Sequence, residues 1–141
     1  MTETGPMLSP GFWLHHAALA WRAELDGRLR AVGLTHTQFM LLATAGWLSH
    51  VDGPPTQQQV AEQAGADRMM TSKVVRTLEE RGLLTRKGDR TDARIFRLHL
   101  TKSGRELTDR ATAIARAVDA EFFTGDATAL RDRLRRLAER R

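Results

Sequence analysis

The stretch from Thr56 to Leu100 constrains the fold of this chain most strongly, because it holds two short helical patterns and then a basic hairpin. Thr56 and Gln59 have the spacing of a capping box, in which each side chain satisfies one backbone donor at a helix start. Gly65 suits the left-handed position that ends a helix, and Asp67 suits the cap of the next one. The pattern predicts one helix to about residue 63 and a second over 68–81.

The second of these helices has two different faces. Val74, Val75 and Leu78 recur on one side at helical spacing and predict contact with a core. A separate stripe, mostly polar and basic, consists of Arg68, Met69, Ser72, Lys73 and Arg76. Two helices crossing over a tight turn are typical of a helix-turn-helix. An ordinary helical hairpin with a solvated outer face would show the same spacing.

The hairpin after the second helix favours the helix-turn-helix interpretation. Residues 83–85 and 95–100 are expected to be strands. The segment 86–94 between them holds two acids, Asp89 and Asp92, and four cations, Arg86, Lys87, Arg90 and Arg94. A hairpin that lies along phosphates needs such cations. Asp92 and Arg94 are close enough to pair and stiffen this wing, which leaves Arg90 at the tip free to enter a minor groove.

These residues resemble the MarR family of transcriptional regulators. The resemblance runs from Leu34 to Gly104, and with the flanking helices it covers nearly the whole chain. Its pieces are LTHTQFMLL, QVAEQAGADRMMTSKVVRTLEERGLL, the D-A-R of the wing and LHLTKSG. Thr71 stands where family members often carry an aliphatic residue, and Met69 and Met70 stand where small polar residues are common. The resemblance implies a repressor whose ligand binds between a dimer platform and a DNA-reading lobe.

Long amphipathic helices are expected at both ends of the chain. Ser9 and Pro10 begin a helix that runs to about Val32, with the apolar stripe Leu14, Ala18, Trp21, Leu25, Leu29 and Val32. Thr101 caps a helix with the stripe Leu107, Ala111, Ile114, Ala115, Val118 and Phe122, and Gly104 permits close packing in its first turn. A last helix carries Leu130, Leu134 and Leu137. Matching stripes at opposite ends predict helices that interleave in a homodimer, the alternative being a monomer whose ends pack on each other.

The predicted fold is mainly α with a small β wing, a winged helix-turn-helix flanked by dimerisation helices. Thr35 and Gln38 begin a second helix that is nearly apolar all round and therefore buried, and one short strand is expected within 50–55 beside the wing. Residues 1–7 are expected to be a loose arm. The chain is thus a single domain over 1–141, with a DNA-binding lobe at 34–100 and dimerisation helices at 9–32 and 101–140.

Composition narrows the class of function. The chain has 141 residues and no cysteine, which excludes disulfides and thiol-based peroxide sensing. The net charge of +5 is uneven, since residues 68–105 hold eleven Lys or Arg against four acids and residues 1–67 hold three Arg against six acids. Positive charge concentrated on one segment is typical of a nucleic-acid contact. No apolar run is long enough to cross a membrane and no signal peptide is recognisable, so we expect a soluble cytoplasmic protein.

The predicted function is therefore sequence-specific binding of double-stranded DNA by a homodimer that regulates transcription. The expected contacts are Arg68, Met69, Ser72, Lys73 and Arg76 in the major groove, with Lys87, Arg90 and Arg94 on the wing. The chain shows none of H-E-x-x-H, a Gly-rich phosphate loop and G-x-S-x-G, so neither an enzyme nor a cofactor is expected. An architectural winged helix that binds DNA with little sequence preference is the alternative.

A small aromatic effector is the remaining expectation. The side chains that could contact it are aromatic or imidazole groups on the first two helices, namely Trp13, His16, Trp21, His36, Phe39 and Trp47. Trp21, Phe39 and Trp47 would also suit a plain core role. Five scattered histidines without an acidic partner at ligand spacing argue against a metal sensor.

Overall fold

Helices dominate the architecture, and one hairpin projects from them. The computed structural model describes residues 5–140. Along that range the elements are a 3-10 turn Gly5–Leu8, α1 Pro10–Leu29, a 3-10 turn Arg30–Val32, α2 His36–Asp52, α3 Gln57–Ala64, α4 Arg68–Glu80, β1 Leu84–Gly88, β2 Phe96–Leu100, α5 Lys102–Phe122 and α6 Ala127–Ala138. The expected mainly α fold with a small β wing is confirmed. The part of the expected arm at residues 5–7 lies in the first turn, and residues 1–4 lie outside the described range.

The helices begin where the sequence places their caps. The side chains of Ser9, Thr35, Thr56, Asp67 and Thr101 each accept a hydrogen bond from a backbone N–H in the first turn. At Thr35 and Thr56 the glutamine three residues later completes the capping box. These bonds satisfy donors that a helix start leaves open, so the boundaries follow from local chemistry.

The wing is longer than the sequence pattern predicted. β1 and β2 pair antiparallel from Leu84 opposite Leu100 to Gly88 opposite Phe96. The expected first strand, 83–85, is therefore wrong at both ends, since Leu83 belongs to the preceding turn and the charged residues after Thr85 continue the ladder. Strand patterns depend on a half-buried face, and the outer half of this hairpin has no core behind it.

The short strand expected within 50–55 is reduced to a single bridge. α2 continues to Asp52, and Gly53 ends it with φ 84°. The bridge then joins Thr56 to Arg97, and the N–H of Leu98 donates to the carbonyl of Pro55 at 2.8 Å. Two consecutive prolines without an N–H leave the segment unable to extend the ladder.

The core lies between α1, α2, α4, α5 and the base of the wing. Its fully buried large side chains include Leu25, Leu29, Leu41, Leu42, Val75, Leu78, Leu84, Leu98 and Val118. Thr71 is also fully buried, and its hydroxyl donates to the carbonyl of Asp67 at 2.7 Å. The residue that departs from the family's usual aliphatic type therefore packs without an unpaired polar atom.

The expectation that α2 is buried all round is wrong. Leu41, Leu42 and Ala45 are buried, but Trp47 is 58% exposed and Val51 is 47% exposed. One face of α2 therefore meets the core, and the opposite face borders open space beside α5.

The terminal helices leave much of their apolar stripes uncovered in the single chain. The second half of α1 buries Leu25 and Leu29, whereas Leu14 near its start is 55% exposed. On α6, Leu130, Leu134 and Leu137 are all exposed. No helix within 5–140 is long and apolar enough to cross a membrane.

Gly104 is the tightest glycine position in the described structure. A Cβ there would lie 1.9 Å from the carbonyl oxygen of Leu83, a backbone atom that cannot rotate away. We therefore expect Gly104→Ala to push α5 off the wing base and to lower the free energy of unfolding by about 3 kcal/mol, and Tm by roughly 10 °C. Thermal and urea unfolding would measure this. Ser103→Ala, at an exposed position of the same turn, is the control; an equal loss in both variants would contradict the packing argument.

Candidate nucleic-acid interface

α4 separates its core face from its outer face as the sequence indicated. Thr71, Val75 and Leu78 are buried, whereas Arg68, Met69, Lys73 and Arg76 are exposed and Ser72 is half-buried. Met69 is 81% exposed, which is unusual for a large apolar side chain. Among residues 5–140, none of the three cations on this face takes part in an ion pair. Their donors are available to an anionic partner.

The two acids of the wing hold its turn in place. Asp92 pairs with Arg94 as predicted: Oδ1 accepts from the Nε of Arg94 at 3.1 Å and from its backbone N–H at 3.0 Å, and Oδ2 accepts from Nη2 at 3.2 Å. These bonds hold the pKa of Asp92 below its usual range. Lys87 and Arg90 are exposed and have no ion pair within the described structure.

Asp89 makes a second pair that the sequence pattern did not predict. Its Oδ1 accepts from the Nε of Arg97 at 2.6 Å, and the same guanidinium donates to the carbonyl of Pro54 at 2.9 Å. The bond to Arg97 is the main cause that holds the pKa of Asp89 far below its usual range, and hydrogen bonds from Thr91 add to it. The two partners are eight residues apart on opposite arms of the hairpin, so only the strand register reveals them.

The six candidate effector residues fall at four places, and Trp47 occupies the last of them. Trp13 and His16 stand together at the exposed start of α1, with ring centroids 6.4 Å apart. Trp21 packs edge-on against His36 at 5.4 Å and donates from Nε1 to Asp119 at 2.8 Å. Phe39 is half-buried against the core, as the plain core interpretation expects.

Trp47 borders a groove between α2 and α5. The groove has a volume of about 360 Å³ and is lined by Ala43, Gly46, Trp47, His50, Leu100, Arg105, Thr108, Asp109 and Thr112. The exposure of Trp47 contradicts a core role for it. The residues expected from the sequence to contact an effector did not include His50, Arg105 and Asp109. His50 lies on α2, and Arg105 and Asp109 lie on α5, so only the pairing of the two helices brings them together.

His36 is the most enclosed titratable group among the candidates. Its Nδ1 accepts from the Nε of Arg22 at 3.2 Å, and its backbone N–H donates to Asp26 at 2.8 Å. Burial lowers the pKa of His36, and the nearby positive charge of Arg22 lowers it further. His36 therefore packs as a neutral ring at the junction of α1 and α2. Among residues 5–140 no group of three His, Asp or Glu is placed to hold a metal ion.

Comparison with known proteins agrees with the fold. The MarR family model matches residues 34–96. YdcH of Bacillus subtilis, an uncharacterized HTH-type transcriptional regulator, is 36% identical over 120 residues, which are 85% of this chain and 82% of YdcH. CouR from Rhodococcus jostii RHA1, solved with p-coumaroyl-CoA, has a TM-score of 0.84 at 26% identity, covering 99% of this chain and 98% of CouR. MosR of Mycobacterium tuberculosis, solved with DNA, has a TM-score of 0.75 at 27% identity, covering 92% of each chain.

A winged helix-turn-helix with a basic outer face defines the class of DNA-binding transcriptional regulators. Two matches identify a family within that class: YdcH matches over 85% of this chain, and the MarR family model matches residues 34–96. This chain belongs to the MarR family, a family of transcriptional regulators and not of enzymes.

The lowered pKa of His36 has a consequence for stability. Because the folded ring resists protonation, the unfolded chain binds the proton first as pH falls through about 6.5, the ordinary value for histidine. Stability that is complete above that pH is then lost as the solution becomes more acidic. We expect the Tm of the wild type to fall more steeply between pH 7 and pH 5 than that of His36→Gln, whose amide can still accept from Arg22. His15→Gln, at an exposed position, is the control and should keep the steep slope; a wild-type slope in His36→Gln would contradict the assignment.

Proposed function

We propose that this chain is a dimeric, sequence-specific repressor that reads a pseudo-palindromic operator. In this proposal α4 lies in the major groove and the wing, residues 86–94, lies in the adjacent minor groove. The observation that carries it is a set of exposed cations on α4 that form no ion pair with any residue in the described range, next to a wing whose tip also exposes cations. Burying such charges against phosphate releases condensed counterions, which favours binding.

The outer side chains of α4 suit several kinds of contact. Arg68 and Arg76 can each make a bidentate contact to guanine, and Met69 can meet a thymine methyl. Ser72 and Lys73 suit a base edge and a phosphate. On the wing, Arg90 is the proposed minor-groove residue, and Lys87 and Arg94 contact phosphate or hold the shape of the loop.

The dimer is proposed from the uncovered stripes of the terminal helices. Exposed leucines on α1 and α6 need a partner surface, and a groove of about 380 Å³ between α5 and α6 is lined by Phe123, Leu130 and Leu134 among others. Residues 9–32 and 101–140 would then form the platform, and residues 34–100 the DNA-reading lobe. Two α4 helices held by this platform would meet successive major grooves, with half-site centres about 10 bp apart.

The groove between α2 and α5 is the proposed effector site. Trp47 offers an aromatic face, and Arg105, whose Nη1 donates to the carbonyl of Leu100 at 3.0 Å, offers a fixed positive charge. An aromatic acid matches this pair, and the relative CouR was solved with p-coumaroyl-CoA, which carries an aromatic ring. Such a ligand releases the operator only if it binds more tightly to a dimer with a different spacing of its α4 helices.

A titration at fixed salt tests this function. It compares random duplex with the intergenic DNA beside the gene, with and without a panel of aromatic acids. We expect tight binding to the intergenic fragment, weakened by at least one acid, and we expect Trp47→Ala to reduce that weakening while operator affinity stays within about twofold. Val51→Ala, exposed one turn further along α2, is the control. Equal weak binding to both duplexes would instead indicate an architectural protein without an effector.

Two arginine variants separate base reading from backbone contact. We expect Arg76→Ala to weaken binding to the selected operator by about 1–3 kcal/mol and to leave random duplex nearly unchanged, because a guanine contact carries discrimination. Arg90→Ala should weaken both complexes and reduce the dependence of log K on log salt by about one unit. Both affinities would be measured over a series of salt concentrations. Equal losses on both duplexes for Arg76→Ala would remove it from the base-reading set.

A further inference from the structure

We propose that Arg97 is a positioning residue that sets the reach of the wing tip by tying it to the end of α2. It acts through Asp89 and the carbonyl of Pro54, and its effect on DNA binding rests on the proposed contact of the wing with DNA. We use the name Arg97 brace for the three groups, Arg97, Asp89 and the Pro54 carbonyl.

The outer half of the wing needs such a brace. Leu84 and Leu98 bury the base of the hairpin in the core. Further out, Arg86 is exposed, and its guanidinium carbon lies 5.7 Å from the centroid of the Phe96 ring. Phe96 is itself 51% exposed. A two-stranded hairpin is marginally stable by itself, so the exposed half is free to bend unless side chains hold it.

Arg97 joins the tip to the body of the protein with one planar group. Its Nε donates to Asp89 at 2.6 Å and its Nη1 donates to the carbonyl of Pro54 at 2.9 Å. The side chain of Asp89 is only 15% exposed and that of Arg97 is 34% exposed. In the neighbouring Arg94–Asp92 pair the side chain of Arg94 is 90% exposed. The Arg97–Asp89 pair is therefore better shielded from water. A guanidinium holds its donors in a fixed fork, so two bonds define an orientation as well as a distance.

The second oxygen of Asp89 holds the turn that carries Arg90. This Oδ2 accepts from the backbone N–H groups of Thr91 and Asp92, each at 3.0 Å, and from the Thr91 hydroxyl at 2.8 Å. Arg90 therefore lies between Asp89, which the brace anchors, and Thr91 and Asp92, which bind the Asp89 carboxylate. Fixing Asp89 fixes the point from which the Arg90 side chain extends.

The other wing pair cannot do the same. Asp92 and Arg94 are two residues apart in one turn, so their bonds shape that turn without attaching it to another element. The Arg97 brace spans the hairpin and reaches Pro54, just after Gly53 ends α2. Since α2 also borders the proposed effector groove, a displacement of its end would move the wing tip through the same bonds.

The first test observes the wing in the absence of DNA. Because the chain has no cysteine, Ala93→Cys gives each protomer a single nitroxide site on the wing. We expect Arg97→Met to increase the mobility of the label in the electron paramagnetic resonance spectrum, since methionine keeps the apolar stem but removes both donors. Asp89→Asn should do the same. Lys87→Met, which removes an exposed wing cation that forms no ion pair within the described residues, is the control and should leave the spectrum unchanged.

The second test is a double-mutant cycle on DNA. The duplex is one that the wild-type protein selects from a randomised pool, and affinities are measured over a series of salt concentrations. We expect Arg90→Ala and Arg97→Met each to weaken binding about tenfold, and the double variant to be less than twofold weaker than either, because a tip without its brace cannot place Arg90. In the control pair, Lys87→Met and Arg90→Ala, the losses should multiply, because Lys87 is proposed to contact phosphate independently of the brace. Unfolding curves should show the variants folded at the assay temperature.

The outcomes separate this proposal from the proposed function. An unchanged label spectrum in Arg97→Met would overturn the positioning role, whatever the DNA measurements give. Multiplicative losses for Arg97→Met and Arg90→Ala would also overturn it, since Arg97 would then contact DNA independently. A wild-type protein that selects no sequence would overturn sequence-specific regulation, while a mobile label in Arg97→Met would still support the brace.

Discussion

The approach of α5 to the backbone of Leu83 is the contact on which the arrangement of both halves depends. Gly104 admits the Leu83 carbonyl where any side chain would collide with it. The cap residue Thr101 binds the same segment, since its hydroxyl donates to the carbonyl of Gly82 at 2.7 Å and its N–H donates to that of Leu83 at 3.1 Å. α5 is thereby seated against the base of the wing, and its direction determines where the α2–α5 groove opens and where α6 begins. The absence of a side chain at Gly104 thus connects residues 34–100, proposed as the DNA-reading lobe, to the helices proposed for the dimer.

The charges of the reading lobe are used in two different ways. Within residues 5–140 the cations on the outer face of α4 take part in no ion pair, whereas on the wing Asp92 and Asp89 form internal ion pairs with Arg94 and Arg97. The exposed Asp92–Arg94 pair contributes little to stability because water screens it. The better shielded Asp89–Arg97 pair joins the wing tip to the end of α2, so its main contribution is geometric. If the wing contacts DNA as proposed, holding it at a defined angle reduces the conformational entropy lost on binding, which strengthens binding without any additional contact.

The aromatic residues of the first two helices show that an apolar pattern along one helix does not by itself predict which of its side chains are buried. Trp21 fitted the apolar stripe of the first helix, and Phe39 and Trp47 belonged to a second helix expected to be apolar all round. The structure places Trp21 and Phe39 against the core and leaves Trp47 exposed. Periodicity reports which residues share a face of one helix. It does not report whether another element covers that face. The same distinction applies to α6, whose leucines are regularly spaced and uncovered in the single chain.

The sequence by itself determined the order of elements, the helix starts and the two faces of α4, because caps and spacing act between residues less than five positions apart. Thr56 with Gln59, and Asp67 at the start of α4, are read directly from the chain. Only the tertiary structure decided three other features. They are the strand pairing beyond Thr85, the Asp89–Arg97 pair and the α2–α5 groove. Each depends on which segments meet in space, and strand register and helix packing are free-energy minima of the whole chain that no local pattern encodes.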